Sequence, residues 1–567
     1  MKKTSIIILG LILTLALFLR LYKLDTLPPA LFGDEVDVGY QAYSLLKTGR
    51  DLSGEFMPLY IQSLSEHRTS LYLYSAVPFI GIFGLNEWGV RLPAVFWGLV
   101  SIIGIFLLVR KLINLQTALI VTFIFSVSPW HLQYSRASFE VTMLISFIIF
   151  GIYFFLLGLS KNRYLFLSSL LLLSTFYIYS TAVVFIPLLS LLILGIYHSE
   201  IFRIPLKTLS LLVILSLIII LPFAFFYFTG QSKARFTTIS IFQDSILEDK
   251  INLARKAEDV YSPEGQIYPQ DPHTERFFHN RYAIYTQVFL TNYFKSISPL
   301  FLYADGDINF RHSIHEMGQQ YYIEFILFLI GLFALTRIES KKSILIAGWF
   351  FIAPIPSALT NEGGTHATRL FIMLPALAII TGLGAGFLIN NSKKLYIKIF
   401  ILIITAIFIL NFVFYLHRYY LHYGSESWRW WHVGFKEAML FMKSESPNYQ
   451  KVGFNNSYEP SLIRFLFWNQ IDPAEFQKQY KNAAVKTEIF PGYTGTLISD
   501  KYFFGMSGQA EKEIIRTLPA GVLYMVSARD EVPGNWNWAD DPPHGITVLK
   551  TIYDPTGTPI FYVIAKQ

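Results

Sequence analysis

Long apolar stretches, spaced through the first three quarters of the chain, constrain it more than anything else. They lie near 5–22, 71–85, 91–109, 115–129, 139–158, 164–179, 181–197, 208–228, 321–336, 343–359, 369–390 and 396–416. A stretch of this length in hydrocarbon must bond every backbone N–H and C=O within itself, so each is expected to be an α-helix. With 53% hydrophobic and 15% charged residues among 567, an ordinary soluble globular fold is excluded. The absence of cysteine removes disulfides, thiolate nucleophiles and Cys-ligated zinc. The net charge of +7 needs no nucleic acid to explain it, because Lys and Arg gather in cytoplasmic loops of membrane proteins.

Charge then orders the spans. Met1-Lys2-Lys3 precedes a first apolar run that ends in Leu-Arg-Leu-Tyr-Lys with no small-residue cleavage site, so it reads as an uncleaved helix. If every stretch crossed, Arg110-Lys111 and Lys161–Arg163 would fall outside, against the positive-inside rule. Placing the short, Pro78-interrupted stretch 71–85 at the outer interface restores the pattern. The expectation is a polytopic α-helical protein of the cytoplasmic membrane, with about 11 transmembrane helices and a cytoplasmic N-terminus. External loops are expected at 23–90 and 229–320. Residues 1–416 would form the transmembrane domain and 417–567 an extracytoplasmic α/β domain. In that tail, 451–457 and 522–527 read as strands, 459–468 as a helix, and 547–553 with 559–565 as a hairpin around Asp554-Pro555-Thr556-Gly557.

Carboxylates beside a bilayer are costly unless they line a polar cavity. Asp34, Glu35 and Asp37 follow Gly33 shortly after the first span, and a helix over about 35–46 would put Asp34, Asp37 and Gln41 on one face. Helix capping and dipole complementation by Asp34 explain the same residues without function. Glu66, near the same membrane boundary, suggests a paired-carboxylate site for general-base work, with His67 beside it. Such a cluster could also hold Mg²⁺ or Mn²⁺, with Asp34 and Glu35 as ligands. The loop 229–320 supplies cations, Lys233, Arg235 and Arg311-His312, and Arg369 opens a later span. These suit the phosphate of a lipid carrier, though charges on a solvated loop would look the same. Trp130, His131, Tyr134 and Arg136 close another span, where aromatics usually form an interfacial belt; Arg136 is the candidate there.

The pieces LFGDEVDVGYQAYSLLKTGRD, EHRTSLYLYSAVPFIGIFGLNEWGVRLPAVFWG, SPWHLQYSRASFE, ISPLFLYADGDINFRHSIHEMGQ and ATRLFIMLPALAIITGLG occur in that order. Together they resemble the GT-C superfold glycosyltransferases that use polyprenyl-phosphate sugars. The likeness is to the bacterial branch of glycosyltransferase family 39, related to protein O-mannosyltransferases and lipid A aminoarabinose transferases. It covers nearly all of 5–390. The resemblance implies a catalytic acid at Asp34 with Glu35 beside it, juxtamembrane helices in the first loop, and a lipid-sugar enclosed by the loop 229–320. The chain departs from the family after the second acid, where Arg68-Thr69-Ser70 stands instead of the Lys-Pro-Pro run common there. Trp430-Trp431-His432-Val433-Gly434 is similar to the oligosaccharyltransferase WWDxG element, but with His for Asp, and that function is not assigned.

The expected activity is that of a hexosyl- or pentosyltransferase moving sugar from polyprenyl phosphate to a protein, lipid or glycan hydroxyl, with inversion. Asp34 would be the base, Glu35 and Glu66 its catalytic neighbours. Asp37, His67, Arg136, Lys233, Arg235, Arg311, His312 and Arg369 would bind substrate. A lipid-linked-sugar flippase, which should show polar groups at midplane and broken helices, and a membrane scaffold are the alternatives.

Overall fold

The computed structural model describes residues 3–63, 67–229, 239–243, 245–257, 260–261, 267–268, 277–480, 487–490, 493–507, 517–534 and 536–566. Each apolar stretch singled out above is helical there. Among the described residues, seven helices are long and apolar enough to cross a membrane alone, Lys3–Leu21, Glu87–Leu112, Val141–Gly158, Ala182–Ile201, Leu206–Phe228, Ala367–Asn390 and Leu395–Ser427. The chain divides into two compact units.

The first unit comprises Met1–Leu19, Trp97–Tyr134 and Glu140–Leu416 and is a bundle of helices. Its innermost helix is Leu374–Asn390, buried along nearly its whole length. Glycine permits that position. A Cβ on Gly384 would lie 2.0 Å from the Leu327 carbonyl oxygen, and one on Gly331 of Glu324–Leu335 would lie 1.9 Å from that of Ile380. Two backbones thus touch through reciprocal glycines, the close approach that membrane helices use in place of a hydrophobic driving force. Leu206–Phe228 is the opposite case: Ile218 is 65% and Phe225 63% exposed, as suits a lipid-facing helix.

The second unit comprises Arg20–Phe96, Ser135–Phe139 and His417–Gln567, so the first loop is grouped with the tail. The stretch 71–85 is here a short helix, Leu71–Phe83, packed on the helix Gly33–Thr48. A hairpin of β1 (Tyr60–Gln62) and β2 (His67–Thr69) lies beside them. Gln41 ties hairpin to helix, donating to the Gln62 carbonyl at 2.9 Å and accepting from the Leu52 amide at 2.9 Å.

The tail folds around a seven-stranded sheet. Its strands are β3 (Lys451–Asn455), β4 (Thr487–Phe490), β5 (Tyr493–Ile498), β6 (Tyr502–Ser507), β7 (Val522–Ser527), β8 (Ile546–Tyr553) and β9 (Pro559–Lys566). Their order is β8-β9-β7-β3-β6-β5-β4. The middle three, β7, β3 and β6, run parallel and the outer pairs antiparallel. Strand β7 is buried at every position, which explains its unbroken Val-Leu-Tyr-Met-Val run. Tyr493, Phe503, Tyr524, Trp538 and Tyr562 fill the core on one side of the sheet.

Candidate active site

The helix Gly33–Thr48 starts two residues before the expected Glu35, so Asp34 stands in its first turn rather than at its cap. Acids there complement the helix dipole. Gly49, at φ +67, ends the helix with its amide bonded to the Leu45 carbonyl. Successive residues turn by about 100°, which separates the three acids. Asp34 and Asp37 share a face and share Arg68: its Nη2 is 3.6 Å from Asp34 Oδ2, and its Nη1 donates to Asp37 Oδ2 at 3.1 Å. Arg68 and Asp37 are buried, whereas the Asp34 side chain is 56% exposed. Burial raises the Asp37 carboxyl above its usual range, and Arg68 opposes that rise.

Glu35 points elsewhere. It is fully buried, accepts from Arg91 Nε at 3.1 Å and Nη2 at 3.3 Å, and accepts the Ser138 amide at 3.0 Å. Arg91, equally buried, donates its other protons to the carbonyls of Leu24, Pro28 and Ala30. Burial raises the Glu35 carboxyl, with Arg91 pulling the other way. This pair fastens the segment that leads into the acidic helix. Asp34 is left as the accessible carboxylate of the three.

A second cluster meets the start of the same helix. A Cβ on Gly33 would lie 3.3 Å from Arg464 Nη2 and 3.7 Å from Glu459 Oε2, so the helix enters against these two side chains. Arg464, 1% exposed, donates to His432 Nδ1 at 2.7 Å. A guanidinium can only donate, so Nδ1 accepts and the ring proton sits on Nε2, facing Glu459 Oε1 at 3.3 Å. Burial lowers Arg464 to about 10, while the charges of Glu459 and Asp34 resist that fall. His432, at φ +56, thus has a defined place where the WWDxG-like element carries His for Asp. Arg68, Arg464, His432 and Glu459 were not anticipated as site residues.

In the first unit, Arg311, His312 and Arg369 gather near Asp307 and His366. Asp307 Oδ2 accepts the Ala367 amide at 2.9 Å, and Oδ1 accepts that of Asn309 at 2.9 Å, joining the loop to the turn before Arg369. Burial raises Asp307 to about 6 despite Arg311 and Arg369. His312 is buried and held well below its usual pKa, so it is neutral. Its ring stacks on Tyr134 at 5.7 Å, and the Tyr134 hydroxyl meets Thr368 Oγ1 at 2.8 Å. Arg369 Nη1 donates to Thr360 Oγ1 and the Asn361 carbonyl. Trp130 and Tyr134 are wholly buried core residues against Phe371 rather than an interfacial belt.

Arg136, expected to bind substrate, is 1% exposed and donates to the carbonyls of Tyr22, Lys23 and Leu27 and to the Tyr419 hydroxyl. It anchors the turn after the first helix. His67 is half-buried in β2, opposite Gln62. Glu66, Lys233 and Arg235 lie outside the described residues. The divalent-cation expectation does not fit the acids that are described. Asp34 and Glu35 diverge toward different arginines, and no group of three or more His, Asp or Glu is placed for a metal among the described residues.

An apolar helical bundle, an acidic helix and a sheet-bearing tail define a polytopic membrane protein of GT-C architecture. Residues 69–226 match the family described as dolichyl-phosphate-mannose-protein mannosyltransferase. No curated protein matches the sequence. Crystal structures of ArnT from Cupriavidus metallidurans superpose along almost the whole chain. The apo form has a TM-score of 0.54 at 10% identity, covering 98% of this chain and 97% of that one. The form bound to undecaprenyl phosphate has a TM-score of 0.53 at 11% identity, with the same coverage. The Archaeoglobus fulgidus oligosaccharyltransferase tethered to an acceptor peptide has a TM-score of 0.53 at 13% identity, covering 99% and 74%. At these identities the likeness establishes the fold.

Proposed function

We propose that the protein is a membrane glycosyltransferase that moves a sugar from a polyprenyl-phosphate carrier to an acceptor hydroxyl. The observation that carries this reading is Asp34: an exposed carboxylate, fixed by a buried arginine, at the mouth of the first loop of a GT-C fold. ArnT binds undecaprenyl phosphate, and the family matched over 69–226 takes its name from mannosyl transfer out of dolichyl phosphate.

In the proposed step the acceptor oxygen attacks the anomeric carbon as its proton passes to Asp34. The bond from that carbon to the phosphate oxygen breaks, and polyprenyl phosphate leaves with the electron pair. One displacement inverts the anomeric centre. Arg68 holds the Asp34 carboxylate in place, and Glu35 positions it by fastening the helix through Arg91. Within the first unit, taken by itself, Arg311, His312 and Arg369 are candidate contacts for an anionic lipid headgroup. The chemistry is assigned to the outer face of the cytoplasmic membrane, with the N-terminus inside and the tail outside; a reporter fused after Leu85 that reads cytoplasmic contradicts this orientation.

Asp34→Asn tests the base. A general base contributes roughly 10²–10⁴-fold, so transfer by purified Asp34→Asn should fall by about that factor with unchanged melting. Transfer near the wild-type rate in folded protein, or a product of retained anomeric configuration, removes the assignment.

A further inference from the structure

A cavity of about 560 Å³ opens in the tail, and none of the residues discussed as catalytic lines it. Its position follows from the sheet. Strand β3 has a parallel neighbour on each side, β6 reached first and β7 later, so the strand order reverses at β3. Ligands of open α/β sheets bind outside the carboxyl ends of the strands at such a reversal. Tyr458 follows the carboxyl end of β3 and Arg529 that of β7, and both line the cavity. Asp530 joins the two strand ends, accepting from Ser457 Oγ at 2.8 Å and Ser527 Oγ at 2.9 Å.

The lining combines aromatic rings and polar groups with the aliphatic Val532 and Ile560. Trp428 and Trp536 present ring surface, and Arg429, Arg529 and Asn537 present planar hydrogen-bonding groups. Several are held in place in advance. The Trp536 indole N–H donates to the Asp541 carbonyl at 2.8 Å, leaving that ring 38% exposed. The Tyr562 hydroxyl donates to Asn537 Oδ1 at 2.9 Å. The Arg529 guanidinium sits 4.9 Å over the Tyr458 ring and is oriented by Asp530 at 2.7 Å.

Sugars match this chemistry. A pyranose offers an apolar C–H face for an aromatic ring and a rim of hydroxyls for paired donors and acceptors. The volume is that of a small-ligand cleft, enough for a short run of sugar units. We propose that this cleft is a saccharide-binding site of the tail, distinct from the transfer site. Its role in holding a glycan acceptor rests on the transferase reading, whereas the binding itself does not. One segment connects the two: Tyr458 lines the cleft, and its neighbour Glu459 meets Arg464, His432 and Gly33 at the acidic helix.

The test uses full-length protein in detergent with no lipid donor present. The probes are mannohexaose, chitohexaose and a hexamer of galacturonic acid, followed by tryptophan fluorescence and ligand-observed NMR. At least one probe should bind saturably with Kd tighter than about 1 mM, a modest affinity of about −4 kcal/mol. Trp536→Ala and Arg429→Ala should each weaken that binding about tenfold or more, equivalent to about 1.4 kcal/mol. Asp34→Asn should bind as wild type while failing to transfer, which separates this site from the catalytic proposal. Failure of all three probes to bind, or unchanged binding in both cleft variants, overturns the assignment.

Discussion

Glu35→Gln separates the two acids that stand side by side in the sequence. The substitution keeps the size of the side chain but leaves Arg91 a fully buried cation with no carboxylate in reach of its Nε and Nη2. Breaking a buried ion pair by removing one partner costs about 3–5 kcal/mol. The Ser138 amide can still donate to the Gln oxygen, and the carbonyls of Leu24, Pro28 and Ala30 keep Arg91, so the loss is that of the pair. At about 2–4 °C per kcal/mol for a large domain, the melting point should drop by roughly 6–20 °C. Asp34→Asn removes an exposed charge 3.6 Å from its arginine, worth at most about 1 kcal/mol. Thermal unfolding in detergent, read by intrinsic fluorescence on both variants and on Arg91→Met, makes the comparison. The double variant Glu35→Gln/Arg91→Met should melt no lower than Arg91→Met alone, because the pair can be lost only once. The reasoning fails if Glu35→Gln melts within about 2 °C of wild type, or if Asp34→Asn falls as far.

Two further outcomes follow from buried acids whose pKa is raised. Arg68→Met strips the buried Asp37 of its cation, at a cost of about 3–5 kcal/mol. Asp37 is already raised by burial and rises further without Arg68, and a raised acid gives stability that is lost as pH climbs through its folded pKa. The variant should therefore lose stability more steeply than wild type as pH rises, measured by melting across a pH series. Glu531, which accepts from the Tyr524 hydroxyl and the Ser527 amide, is raised by burial from 4.5 to about 7. Its protonated form stabilises the fold fully below 4.5, and that share, roughly 3 kcal/mol, is lost as pH rises through 7. Glu531→Gln should flatten this slope between pH 5 and 8; an unchanged slope refutes the assignment.

The helices were legible because each apolar stretch is long enough to admit a single solution in lipid, and the strands at 451, 522, 546 and 559 because their apolar runs end at turn signals. The three strands between 487 and 507 were not, since Pro491-Gly492 and repeated Gly and Thr there look like loop until a neighbouring strand takes their backbone bonds. The same division runs through the site. Helical spacing alone placed Asp34, Asp37 and Gln41 on one face, and the structure does so. What spacing could not give was the arginine each acid would meet. Arg68 arrives by a hairpin, Arg91 from another helix and Arg464 from the tail, and nothing local distinguishes them from the other cations. Trp130 and Tyr134 fail for a related reason: an aromatic pair at a span end has the same composition whether it faces lipid headgroups or Phe371. Local sequence therefore names the acids, and chain-distant packing decides which of them is buried in an ion pair and which is left accessible. Asp34 differs from Glu35 by about 100° of helix rotation, and on the proposed reading that rotation turns one carboxylate toward solvent as a base and the other inward as a structural ion pair.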